Sequence, residues 1–138
     1  MRRSVPLICL PLCALAVSGC AKTVSTANFK GEQHEVAQAI SNLQSNATTG
    51  EEKKICDEQL AAAVVERLGG AKGCEKALKN QLNEVDSLEL TVESVHTATA
   101  GKDATATVKS IYEGKNHAGT LTLLKEGGKW KISQLAGL

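Results

Sequence analysis

The chain has 138 residues, and its 16 Lys and Arg against 15 Asp and Glu give a formal net charge of +1. That balance offers no basic excess with which to hold nucleic acid or an anionic lipid surface. Phe29, Tyr112 and Trp130 are its only aromatic residues, so a core must be built mainly from Leu, Val, Ile and Ala.

The chain opens with Arg2 and Arg3, an apolar run from Val5 to Val17, and then the small residues Ser18 and Gly19 before Cys20. This is the three-part layout of a secretory signal peptide. As a membrane span it is too short: its core rises only ~20 Å, against ~30 Å for a bilayer interior. Pro6 and Pro11 also interrupt it. The stretch Leu15-Ala16-Val17-Ser18-Gly19-Cys20 resembles the bacterial lipobox. The resemblance implies that residues 1–19 are a lipoprotein signal peptide and that Cys20 carries a diacylglyceryl thioether. It also implies a mature chain on the extracytoplasmic face of a cell membrane. Its partner there is the membrane itself, through acyl chains, of which two hold a protein stably.

Loss of Arg2 and Arg3 leaves 14 basic against 15 acidic residues, a net charge of −1. The remaining 119 residues, 20–138, suit one domain. Cys9 and Cys13 depart with the leader, and Cys20 is modified. Cys56 and Cys74 are left in an oxidising compartment, where they read as one disulfide. Two buried free thiols are the alternative. No second Cys or His pair stands at zinc-ligand spacing, so no metal is expected.

Residues 20–30 are polar and read as a lipidated tether, with an end-to-end distance of about 18 Å for ten flexible residues. The folded domain is expected over 31–138. Val36, Ile40, Leu43 and Ala47 recur at helical spacing, and the polar run from Asn46 to Gly50 ends that helix. Thr49 and Glu52 have the spacing of a capping box for a second helix. That helix carries Ile55, Leu60, Val64 and Leu68 inward and stops at Gly69-Gly70. A third runs from about Cys74 to Asp86, with Ala77, Leu78, Leu82 and Val85 as its apolar face.

The period then changes to two. Leu88, Leu90 and Val92 alternate with Glu89, Thr91 and Glu93, and the alternation slips at Ser94-Val95 as it does at a bulge. Ala104, Ala106 and Val108 mark a second strand that continues to Tyr112, and Leu121 and Leu123 mark a third. Gly127-Gly128 is a two-residue hairpin turn that leads Trp130 and Ile132 inward on a fourth. Helices followed by antiparallel strands give an α+β fold. The disulfide adds a constraint. A straight helix from Cys56 to Leu68 would be ~18 Å long, and six further residue steps reach at most ~20 Å. Bridged cysteines need Cα atoms about 5.5 Å apart. A bend near Asp57 to Gln59 is therefore expected.

Several segments together resemble a family: the lipobox, Phe29-Lys30-Gly31 with the Val36-Ala37…Ile40 helix, Lys54-Ile55-Cys56, Gly73-Cys74, Leu90-Thr91-Val92, and Lys125-Glu126-Gly127-Gly128-Lys129-Trp130-Lys131-Ile132. They look like small exported lipoproteins of high-GC Gram-positive bacteria built on the nuclear-transport-factor-2-like fold. That fold is a cone in which N-terminal helices pack in a curved, four-stranded antiparallel sheet. Enzymes of this superfamily place an Asp or His base and a Tyr or acid partner in an apolar pocket. The corresponding residue types here are Asp57, Asp86, Asp103, His96, His117 and Tyr112, and they form no motif. His34, His96 and His117 read as surface histidines, Asp103 as a turn residue and Lys129 with Lys131 as a solvated strand face. No catalytic residue is assigned, and no cofactor is expected. Tyr112 and Trp130 are the candidate pocket residues, with Trp130 first a core anchor. Two functions remain: a non-catalytic module binding a small ligand or an envelope protein, and a cone-fold enzyme acting on an extracellular small molecule.

Overall fold

The structure, a computed structural model, describes residues 24–83, 89–112 and 114–136; Cys20, Val85, Asp86 and Leu88 lie outside them. The order is α1 (Glu32–Thr49), α2 (Glu52–Lys54), a π-helical turn (Ile55–Gln59), α3 (Ala62–Arg67) and α4 (Gly70–Asn83), followed by β1 (Glu89–Thr97), β2 (Asp103–Tyr112), β3 (Lys115–Glu126) and β4 (Lys129–Ala136). The strands form one antiparallel sheet in the order β1-β2-β3-β4. The α+β architecture matches the expectation.

The helix α1 begins at Gly31 and ends in a left-handed Gly50 (φ 67°). The Gly50 and Glu51 N–H groups donate back to the Ala47 and Asn46 carbonyls, at 3.3 and 2.8 Å. This is a Schellman closure, and it corrects the capping-box reading. Thr49 is the last residue of α1, and its hydroxyl donates to the Ser45 carbonyl at 3.0 Å.

The second helix is not one helix. After the π-helical turn, Leu60 and Ala61 are extended, with ψ near 143° and 146°. Leu60 makes a parallel bridge to Ile132, and the Ala61 N–H donates to the Ile132 carbonyl at 2.8 Å. The expected bend is therefore present as a π-turn and a two-residue break. It lets Cys74 return to Cys56, with the Cα atoms 6.1 Å apart in the Cys56–Cys74 disulfide. The break also resets the helical phase, so Leu68, expected inward, is 36 % exposed.

One face of the sheet carries Leu90, Val92, Val95, Ala104, Ala106, Val108, Leu121, Leu123, Trp130 and Ile132, all buried. The step from Val92 to Val95 crosses a bulge in the β1–β2 register, where the sequence alternation slips. A second bulge, between Thr122 and Leu123, leaves Ser133 as the extra residue, and its hydroxyl donates to the Thr122 carbonyl at 3.1 Å. Val36, Ala37 and Ile40 of α1 fill the concave side. Two glutamines of α1 bind edge strand β1. The Leu90 N–H donates to Gln44 Oε1 at 2.9 Å, and Gln33 Nε2 donates to the Val95 carbonyl at 2.9 Å. Val24 is buried and Phe29 packs against the core, so the folded part reaches back into the stretch expected to be tether.

Candidate functional site

The β3–β4 turn determines where the cleft forms. Gly127 and Gly128 both have positive φ (57° and 79°), as a two-residue primed hairpin turn requires. The turn places Trp130 opposite Lys125, and the parity shared with Leu121 and Leu123 directs Lys125 toward α1. Lys125 Nζ lies 2.6 and 2.9 Å from the two carboxylate oxygens of Glu32, and 3.6 Å from Glu35. It also sits 5.5 Å from the centre of the Trp130 ring. Trp130 Nε1–H donates to the same Glu32 carboxylate at 2.9 Å.

The hydrogen bond from Lys125, then that from Trp130, holds the Glu32 carboxyl below its ordinary 4.5. Reciprocally, the Glu32 hydrogen bond raises Lys125 above its ordinary 10.5. Glu32 and Glu35 occupy the first turn of α1, where the helix dipole also favours negative charge. The cluster pins the β3–β4 hairpin to the start of α1. The one sign of this role in the sequence is the parity that Lys125 shares with Leu121 and Leu123.

Beside this pin lies an open cleft of about 350 Å³. Its α1 wall is formed by His34, Glu35, Gln38, Ala39 and Asn42, a stripe recurring every three or four residues beside the core-facing one. Opposite stand Glu58 and Gln59 at the end of the π-helical turn, with Gly128 of the hairpin turn and Lys129 and Trp130 at the start of β4. Gln59 is 8 % exposed, and its Oε1 is buried without a hydrogen-bond partner. Trp130, 5 % exposed, is both a core residue and a wall of the cleft.

The other sequence candidates lie elsewhere. The Tyr112 backbone pairs with Lys115 and that of Trp130 with Lys125. Those partners are ten residues apart on β3, about 33 Å of strand. His96 and His117 are exposed on β1 and β3, opposite Thr105 and Ser110. Asp103 is exposed at the start of β2, next to the Ala98–Gly101 turn. Asp57 is exposed and paired with Lys53, and Lys131 Nζ donates to the Asp57 carbonyl at 3.1 Å. His34 is the one histidine at the cleft, its Nδ1 3.2 Å from the Thr26 carbonyl. Among the described residues, no three His, Cys, Asp or Glu gather as a metal site. Among the described residues, the buried polar side chains are the uncharged Gln44, Gln59 and Ser110.

No protein-family model and no curated protein matches the chain. Solved structures share its fold. A candidate dehydratase from the nuclear-transport-factor-2-like family of Streptomyces avermitilis aligns with a TM-score of 0.56 at 11% identity, over 75% of this chain and 93% of that one. A candidate calcium/calmodulin-dependent protein kinase II association domain from Xanthomonas campestris gives 0.55 at 17% identity, over 83% and 91%. A designed nuclear-transport-factor-2-like protein gives 0.54 at 18% identity, over 77% and 98%. These likenesses establish the nuclear-transport-factor-2-like fold, which hosts both binding and catalytic domains, and leave function to the site.

Proposed function

We propose that this domain is a non-catalytic binding module of the bacterial cell envelope, anchored through lipid on Cys20. The observation that carries the non-catalytic reading is the interior of the cone. The concave face of the sheet is packed with Leu, Val, Ala and Ile against α1, and no Asp, Glu, His, Lys or Arg side chain among the described residues is buried in it. A cone-fold acid–base enzyme needs such a group in a pocket that also admits substrate. Binding then falls to the surface, where the Trp130 cleft is the candidate.

The envelope location is supported by the charged, apolar leader that ends in the lipobox-like run before Cys20. A buried disulfide suits an exported protein. With Val24 docked, only Ala21, Lys22 and Thr23 separate it from Cys20, so an anchored domain stands within ~14 Å of its lipid attachment.

Native mass spectrometry of protein purified from envelopes tests the module, with a stoichiometric small ligand or protein partner expected. Intact mass tests the anchor: residues 1–19 should be absent and a diacylglyceryl group present. A soluble mature chain cut elsewhere would sink the anchor. Turnover of a small molecule, abolished by changing Tyr112, His96 or Asp57, would establish instead the enzyme alternative suggested by the Streptomyces neighbour.

A further inference from the structure

Two donors of the cleft beside Trp130 are already engaged, and one buried acceptor has no partner. Trp130 gives its N–H to Glu32, and Gln38 gives an amide N–H to Asn42 Oδ1 at 3.1 Å. Glu58 makes no ion pair within 4 Å among the described residues, although its charge acts on Lys53, and Gln59 Oε1 is buried with no donor. Glu35 meets Lys125 only at 3.6 Å, through one oxygen. Lys129 is the one lysine on the cleft lining, against the two carboxylates Glu35 and Glu58. A buried amide oxygen without a donor carries a desolvation penalty that the folded chain alone does not offset. The residue responsible sits on a π-helical turn, a distortion frequent at functional sites.

We propose that this cleft binds a small organic cation, a primary amine or guanidinium compound, with Glu58 and Gln59 as its acceptors. The inference rests on the reading of the domain as a binding module and names its ligand class. Such a ligand brings positively charged N–H donors to the Glu58 carboxylate and a donor to the orphaned Gln59 oxygen, beside the Lys129 ammonium already on the lining. The Gln59 oxygen is reached by rotation of its side chain or through one bridging water. At about 30 Å³ per water, the 350 Å³ of the cleft holds a ligand of about a dozen non-hydrogen atoms.

Trp130 is the only tryptophan of the chain, so its emission reports on the cleft directly. The test is a fluorescence titration of the purified protein with putrescine, agmatine and L-arginine, alongside glucose and inorganic phosphate. A saturable change is expected with the cations alone. Glu58→Gln, at an exposed position, should weaken binding about tenfold. Gln59→Leu should weaken it as much while raising the melting temperature, because it removes the unpaired oxygen. Glu93→Gln, paired with Lys109 on the other face of the sheet, should leave binding unchanged. The proposal is overturned by the absence of a saturable response to all three cations up to about 10 mM. It is equally overturned by unaltered affinity in Glu58→Gln, or by a response to glucose or phosphate alone. A neutral ligand or a protein partner found by native mass spectrometry, with no cation response, removes this inference and leaves the binding module standing. Substrate turnover removes the module itself.

Discussion

Glu32 links Trp130 and Lys125 to the start of α1, and that role makes its protonation matter. Its carboxyl is held below 4.5 in the fold, so its contribution to stability is present above that pH and lost as pH falls through the lowered value. Lys125 is raised above 10.5, so its contribution is complete below that value and lost as pH rises beyond it. Melting curves should therefore show the wild-type protein losing stability more steeply below pH 4.5 than Glu32→Gln. Equal slopes would mean that the pin has no energetic weight. Trp130→Ala should cost about 3–5 kcal/mol, and Trp130→Phe less, because it keeps most of the ring and loses the bond to Glu32. Gly73 has a different constraint. A Cβ there would lie 2.1 Å from the Leu68 carbonyl oxygen, a backbone atom that cannot yield without moving the α3–α4 connection. Gly73→Ala should destabilise by about 1–3 kcal/mol, measured by urea unfolding. The apolar parity of Trp130 and Ile132 was visible in sequence. Glu32, Gly73 and Gln59 were not, because each acquires its role from a partner distant in the chain or across a break.

Among the elements, those with a strong local period were the ones readable from sequence. Val36, Ile40, Leu90, Val92, Ala104, Ala106, Val108, Leu121 and Leu123 are buried as their spacing implies, and the slip at Ser94 is a true bulge. The second helix fails as one unit because Leu60 and Ala61 bond to Ile132, whose position depends on the fold of the sheet. Helical periodicity carries no trace of that pairing, and only the reach of the disulfide pointed to a bend. The docking of α1 along β1 was equally hidden. Gln33 and Gln44 are eleven residues apart, ~16 Å of helix, and they meet Val95 and Leu90, five residues and ~17 Å of strand apart. The match of lengths lets two amides of one helix engage two backbone groups of an edge strand. Gln44→Leu should leave the buried Leu90 N–H unpaired and cost about 1–3 kcal/mol. Hydrogen exchange at the Leu90 amide should quicken. Unchanged exchange there would show that another group takes up the donor.

At the scale of the whole molecule, the sheet with α1 and the segment around the disulfide are secured differently. The sheet and α1 share the aliphatic core and the two glutamine contacts. The helix α4 instead packs on α2, the π-helical turn and α3; its buried residue is Cys74, while Leu78 and Leu82 are partly buried against the core. The Cys56–Cys74 bridge, between residues 2 % and 0 % exposed, is the strongest tie between α4 and the remainder. Its sequence separation of 18 corresponds to about 3 kcal/mol in the chain-entropy account. Replacing both cysteines with Ala should therefore lower stability by about 2–5 kcal/mol. The loss should also be local. Segments held by few apolar contacts open at lower free energy than the rest of a fold. In the double variant, hydrogen exchange should accelerate first across Glu52–Asn83, while β2 and β3, the two central strands, retain their protection. Uniform acceleration through β2 and β3 would instead show one cooperative unit, with the disulfide supporting the whole cone. If the local pattern holds, opening α4 also loosens the π-helical turn that presents Glu58 and Gln59, because Cys56 belongs to that turn. Reduction should then weaken any ligand held in the Trp130 cleft before the sheet unfolds, a loss that a titration with and without reductant would measure.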